Sequence, residues 1–133
     1  KIGDQWELYS AKDPIAGKSL MSTPSLLNAE ELNKAVNKIV IPSFEALENN
    51  WMKISTVDGP VHLVDIKFEL GFRTKDKVLV LSDVVDNDSW RIWPGGRPDK
   101  QLHKQSFREG ENLSNVTNKY QLVTELTNQF KGV

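Results

Sequence analysis

An α+β layer, antiparallel strands covered by helices, is the fold class this sequence predicts. Three observations carry it. Apolar residues recur at helical spacing from Asn28, strict alternation runs from Val61 to Leu70, and a second β-rich run spans Lys77 to Val85. The two β-rich runs are separated by six residues, Gly71 to Asp76. A connection that short favours an antiparallel hairpin, because parallel strands need a crossover of a dozen residues or more.

The first 24 residues hold Gly3, Pro14, Gly17 and Pro24 among scattered apolar positions and read as loop, with one short strand around Trp6 to Tyr9. From Asn28, residues Leu32, Ala35, Val36, Ile39 and Val40 define one helix face, and Asn28 with Glu31 forms a capping-box start. Pro42 removes a donor and crowds the preceding turn, yet Phe44, Leu47 and Trp51 continue the stripe. Two helical pieces with a kink or break between them are therefore expected. Asp58-Gly59-Pro60 ends the helical region. In the first strand Val64, Ile66, Phe68 and Leu70 point one way, and Asp65, Lys67 and Glu69 the other. Asp86 to Asp99, with two Pro, two Gly and three Asp, reads as a long loop anchored by Trp90 and Trp93. Ser114 is suited to cap a last helix carrying Tyr120, Val123, Leu126 and Phe130, and the helices from about Asn28 and Ser114 are expected to cover the apolar face of the strands.

With 133 residues, 38% of them apolar and 26% charged, the chain is one domain or part of one. Seventeen Lys and Arg against eighteen Asp and Glu leave a net charge of -1, which offers no general pull toward nucleic acid or an anionic membrane. No run approaches the roughly 18 apolar residues of a membrane helix. Lys1 begins neither a signal peptide nor an initiator-Met start, so a cut in a longer chain is expected there. The lack of Cys excludes disulfides and thiolate chemistry and fits a cytoplasmic protein. Sequons at Asn87, Asn112 and Asn115 read as silent.

Asp65, Lys67 and Glu69 stand about 6–7 Å apart on one strand face and must be solvated or paired. A water-facing strand with cross-sheet ion pairs satisfies them without any function. A functional reading adds Asp83 from the neighbouring strand: Glu69 and Asp83 offer magnesium two hard oxygen ligands, and Lys67 reaches a nucleotide phosphate. That reading needs Asp83 on the face of Lys67 and Glu69. Asp86 to Arg91 is turn-forming by composition, but Arg91, Arg97, Lys100, Lys104 and Arg108 also suit an anionic ligand. Pro94-Gly95-Gly96 reads as a surface turn ahead of a phosphate cradle, and His62 and His103 as packing or surface residues.

Leu63-Val64-Asp65-Ile66-Lys67-Phe68-Glu69-Leu70-Gly71 resembles the signature strand of the SAICAR synthetase family. Leu81 to Pro94 resembles the segment in which that family has a metal-binding Asp and then Asp-x-x-Arg-x-Trp, kept here as Asp88, Arg91 and Trp93. Lys104-Gln105-Ser106-Phe107-Arg108 resembles its next basic segment, in wording nearest to the bifunctional animal members with a downstream carboxylase domain. The likeness runs from about Phe44 to Arg108; Leu70 and Gln105 depart from the usual pattern.

The resemblance implies that residues 1–133 are the C-terminal portion of one ATP-grasp-like domain whose nucleotide-covering N-terminal lobe has no counterpart in these residues. It implies a cytoplasmic, ATP- and magnesium-dependent ligase of purine biosynthesis, homo-oligomeric in its parent form, joining L-aspartate to carboxyaminoimidazole ribotide. Lys67 and Asp83 would be catalytic, Lys67, Glu69 and Asp83 would bind ATP, and Glu69 and Asp83 would hold the metal. Asp88, Ser89, Arg91, Lys104 and Arg108 would bind the ribotide. A noncatalytic magnesium-nucleotide module and an interaction domain with a merely solvated charged strand are the competing expectations.

Overall fold

A computed structural model describes the backbone of residues 5–8 and 21–24 and, with side chains, residues 27–102, 110 and 112–131. The chain divides into two units, Lys1–Lys38 and Ile39–Val133. In the first, β1 (Gln5–Leu8) pairs antiparallel with β2 (Met21–Pro24), Leu8 opposite Met21. One of these strands was expected near Trp6; the other forms where the sequence reads as loop. Helix α1 (Ala29–Ala35) starts at the anticipated capping box: Glu31 N–H donates to Asn28 Oδ1 and Asn28 N–H to Glu31 Oε2, both at 2.9 Å.

The break expected at Pro42 takes the form of a π-helical turn, Val36–Val40, followed by α2 (Ile41–Met52) with Pro42 in its first turn. A proline ring crowds the carbonyl four residues before it, here Lys38, and a widened turn relieves that crowding. Inside the new first turn the missing N–H costs nothing, because such donors have no intrahelical partner.

The second unit contains a three-stranded antiparallel sheet, β3 (Ser55–Thr56), β4 (Gly59–Ile66) and β7 (Trp90–Pro94), in the order β3-β4-β7. A separate antiparallel hairpin joins β5 (Leu70–Phe72) to β6 (Leu79–Leu81). This corrects the expected single hairpin of Val61–Leu70 with Lys77–Val85. Only its far end forms, Leu70 opposite Leu81 and Phe72 opposite Leu79. Val61, Leu63 and Ile66 instead oppose Pro94, Ile92 and Trp90, in a segment expected to be loop. Trp90, Ile92 and Pro94 are buried while Arg91 is exposed, so the segment has a strand's alternation, masked in sequence by turn-formers on both sides.

The facing of β4 is also corrected. Its ladder shifts between Leu63 and Asp65, so Val64 is a bulged extra residue, 36% exposed, rather than a partner of Ile66 on the apolar face. Val61 and Leu63 face the core before the bulge and Ile66 after it.

That core gathers Trp51 and Ile54, the sheet residues Val61, Leu63, Trp90 and Ile92, Leu102, and Val123 and Leu126 of α3 (Leu113–Thr127). Trp51 is fully buried and meets Trp90 and Phe130 edge-on, with ring centroids 5.3 and 4.8 Å away. Asn112 rather than Ser114 caps α3, its Oδ1 accepting from Ser114 N–H at 2.8 Å. Within the second unit, the helices on this core are α2 and α3. Among the described residues, no helix is long and apolar enough to cross a membrane.

Gly95 closes the turn after β7 at φ +61°, donating its N–H to Pro60 O at 2.7 Å. A Cβ on Gly95 would stand 2.1 Å from Asp58 O. Pro94-Gly95-Gly96 is therefore a packed turn against the β3–β4 connection. Arg97 and Lys100, by type suited to an anionic ligand, approach Asp58 at 3.9 and 3.4 Å, and Arg97 also pairs with Asp99 at 2.7 Å.

Candidate active site

Lys67-Phe68-Glu69 is the span in which the chain leaves one sheet and enters the other. Lys67 N–H donates to Ser89 O at 2.8 Å, one step beyond the β4–β7 ladder, and Ser82 N–H donates to Glu69 O at 3.0 Å, one step beyond β5–β6. Both backbone bonds hold the span while its charged side chains stay in solvent, 65% exposed for Lys67 and 53% for Glu69. Lys67 Nζ donates to Glu69 Oε1 at 2.6 Å. That hydrogen bond and the Glu69 charge raise the Lys67 pKa above its ordinary value, against a small desolvation effect, with Asp83 and Asp86 adding to the rise.

Lys67 is joined to Glu69 directly, while Asp83 acts on Lys67 only through its charge. The ladder does not itself set Asp83 on the face of Lys67 and Glu69. By the β5–β6 register Ser82 stands across from Glu69, and β6 ends at Leu81, so Asp83 belongs to the loop beyond the strand. Asp83 Oδ1 accepts from Val84 N–H at 2.9 Å.

The next turn satisfies itself. Asp86 Oδ1 accepts from Asp88 N–H at 2.9 Å, Ser89 N–H donates to Asp86 O at 3.0 Å, and Ser89 Oγ lies 3.2 Å from both Val84 O and Asp86 Oδ1. Ser89, expected to bind substrate, therefore has its hydroxyl engaged within the turn. Asp88 projects toward α3, where Tyr120 Oη donates to its Oδ1 at 2.8 Å. Arg91 stands opposite Asp65 across the bulge, on the side of β7 away from Ile92; its Nε donates to Asp65 Oδ2 at 2.8 Å and its Nη2 contacts the same oxygen. This pair raises the Arg91 pKa, chiefly through the hydrogen bond. Lys104 and Arg108, together with His103 and Gln105, lie outside the described residues.

Two contributors are not among the site residues expected from the sequence. Asn87, 8% exposed, donates its amide to Leu102 O at 3.0 Å and accepts from Trp90 Nε1 at 2.9 Å, pinning the loop to the core. Its sequon is accordingly engaged at both ends of the side chain. Tyr120 is the other; Asp65, expected to need a cross-sheet partner, finds it in Arg91. A buried Trp usually requires an indole acceptor, and that was the available clue to Asn87; nothing local pointed to Tyr120.

Among the described residues, no three His, Cys, Asp or Glu groups converge as a metal cage. Glu69, bonded to Lys67, and Asp83, in the loop after β6, each carry hard, exposed oxygens. Carboxylate oxygens of that kind are what magnesium takes from a protein, with phosphate and water completing its shell.

Comparison with known proteins identifies the family. The family described as SAICAR synthetase matches residues 10–126. Phosphoribosylaminoimidazole-succinocarboxamide synthase of Chloroflexus aggregans is 43% identical over 95 residues, 68% of this chain and 36% of that protein. The human bifunctional phosphoribosylaminoimidazole carboxylase/phosphoribosylaminoimidazole succinocarboxamide synthetase is 40% identical over 129 residues, 91% of this chain and 27% of its own length. A solved SAICAR synthetase in complex with ADP superposes with a TM-score of 0.60 at 26% identity, over 80% of this chain and 41% of that one. The chain spans only about a third of the curated relatives it matches. With residues 10–126 matched and the charged span placed at the junction of two antiparallel sheets, this chain belongs to the SAICAR synthetase family.

Proposed function

We propose that this chain is the C-terminal portion of a cytoplasmic, ATP-dependent carbon–nitrogen ligase domain, homo-oligomeric in its parent enzyme, that joins L-aspartate to carboxyaminoimidazole ribotide. The products are SAICAR, ADP and phosphate. The observation that carries the reading is the Lys67 ammonium, bonded to Glu69 and within the field of Asp83, where the chain crosses between sheets. In the reaction the γ-phosphoryl group of ATP passes to the ribotide carboxylate, and the aspartate amine then displaces phosphate. Lys67 would hold ATP phosphate, and Glu69 and Asp83 would hold magnesium, which would supply positive charge near the transferring group. Arg91, presented by its pairing with Asp65, binds the anionic ribotide with Asp88, Ser89, Lys104 and Arg108.

Such catalysis needs positioning and exclusion of water. With the Lys67 and Glu69 side chains more than half exposed, residues 1–133 alone are expected to be silent. A charge pair about 4 Å apart is worth about 1 kcal/mol in water and about 4 near a protein surface, so a covering lobe decides the rate. The test is Asp83→Asn in the complete enzyme. Turnover should fall at least about a hundredfold with an unchanged melting midpoint, because the change removes a metal charge and little volume. Near-normal aspartate-dependent phosphate release would refute the assignment; magnesium-dependent ATP binding without ligation by the wild type would favour a noncatalytic module.

A further inference from the structure

We infer that Tyr120 is a positioning residue for the ribotide site, its hydroxyl setting the direction in which Asp88 presents its carboxylate. The inference rests on the proposal that Asp88 binds the ribotide. Asp88 sits on an exposed turn whose internal bonds fix its backbone, through Asp88 N–H to Asp86 Oδ1, but leave the direction of its side chain to other contacts. Tyr120 Oη donates to Asp88 Oδ1 at 2.8 Å from 32 residues away.

The tyrosine is suited to the task. It falls between Val116 and Val123 on the stripe by which α3 is buried, and it is itself half-buried on the helix that anchors the core. An aromatic side chain has only two χ angles, and once the ring is fixed the hydroxyl is fixed too. An open groove of about 550 Å³ runs between the Val85–Trp90 loop and helices α2 and α3, with Tyr120 and Asp88 both in its wall. Burial, and then Asp88, push the Tyr120 pKa up to about 12.

Asn87 separates this role from simple support. The loop is already tied to the core through the Asn87 bonds to Leu102 and Trp90. Tyr120 is therefore not needed to place the loop; what it contributes is the aim of one carboxylate.

The experiment compares wild type, Tyr120→Phe, Asp88→Ala and the double variant of the complete enzyme, with steady-state kinetics in ATP and in ribotide. Tyr120→Phe should raise the ribotide KM about three- to tenfold, the net worth of one ordinary hydrogen bond, and leave kcat within about twofold and the ATP KM unchanged. In the Asp88→Ala background it should have no further effect, because the group it aims is gone. Additive effects, or an unchanged ribotide KM in Tyr120→Phe when Asp88→Ala raises it, would overturn the inference while leaving Asp88 in the site. A loss shared equally by both substrates would overturn it too, since that marks general destabilisation. A ribotide KM untouched by Asp88→Ala would remove Asp88 from the site and the inference with it.

Discussion

Asn87→Ala tests how the candidate site is tied to the core. Wild-type Asn87 donates to Leu102 O at 3.0 Å and accepts from Trp90 Nε1 at 2.9 Å, and both partners belong to residues only 6% exposed. Truncation leaves an indole N–H and a backbone carbonyl without that partner. A buried polar group left unsatisfied costs about 1–3 kcal/mol. The groove beside Asn87 admits water, which can replace part of what is lost. The expected sum is about 2–4 kcal/mol, read as a lower urea midpoint at unchanged slope. Asn87→Asp keeps an acceptor for Trp90 but withdraws the donor from Leu102 and buries a charge, so it should not rescue. A loss under about 0.5 kcal/mol for Asn87→Ala, the range of an inert surface change, would refute the claim that this amide pins the loop.

Gly95→Ala should cost more than about 2 kcal/mol and lower the melting midpoint, because φ is +61° and the new Cβ would meet a backbone oxygen at 2.1 Å. Gly96→Ala is the control: φ is +68° there too, but the nearest atoms belong to the His62 ring at 3.6 Å, so backbone strain alone should apply and the loss should be smaller. A Gly95→Ala variant no worse than Gly96→Ala would show that the turn moves freely. Raising a folded-state pKa from 10.0 to about 12 favours the protonated phenol in the native protein, so the Tyr120 contribution to stability is complete below pH 10 and disappears toward pH 12. An ultraviolet difference titration of wild type against Tyr120→Phe should show that phenolate appearing near pH 12; ionisation near pH 10 would mean that the phenol is neither buried nor bonded to Asp88 as described.

The parts of the fold legible in the sequence are those fixed by neighbouring residues. The Asn28–Glu31 capping box, the break at Pro42 and the charged Asp65, Lys67 and Glu69 could each be read within one helical turn or a few strand positions. The strand Trp90–Pro94 could not, because its five residues lie among Asp, Gly and Pro and declare themselves only by pairing with Val61 to Ile66. Nor could the site's supports, since the Asn87–Leu102, Arg91–Asp65 and Tyr120–Asp88 contacts span 15, 26 and 32 residues. Which residues carry charge is a local property. What holds those charges in place depends on topology.

Val64 separates two properties of β4 that are normally locked together, which side chain faces where and the direction in which the strand's end is aimed. Because it is the extra residue of the bulge, a chain lacking it could still set Leu63 opposite Ile92, Asp65 opposite Arg91 and Ile66 opposite Trp90. Every neighbour would be kept. What would go is the added twist and bend that a bulge imposes on its strand just before Lys67. Most residues near a reactive group can be judged only by what they touch. Val64 acts as a spacer, so shortening the chain by that one residue would turn the lysine and its carboxylates without replacing any of them, a change that substitution at the same position cannot mimic.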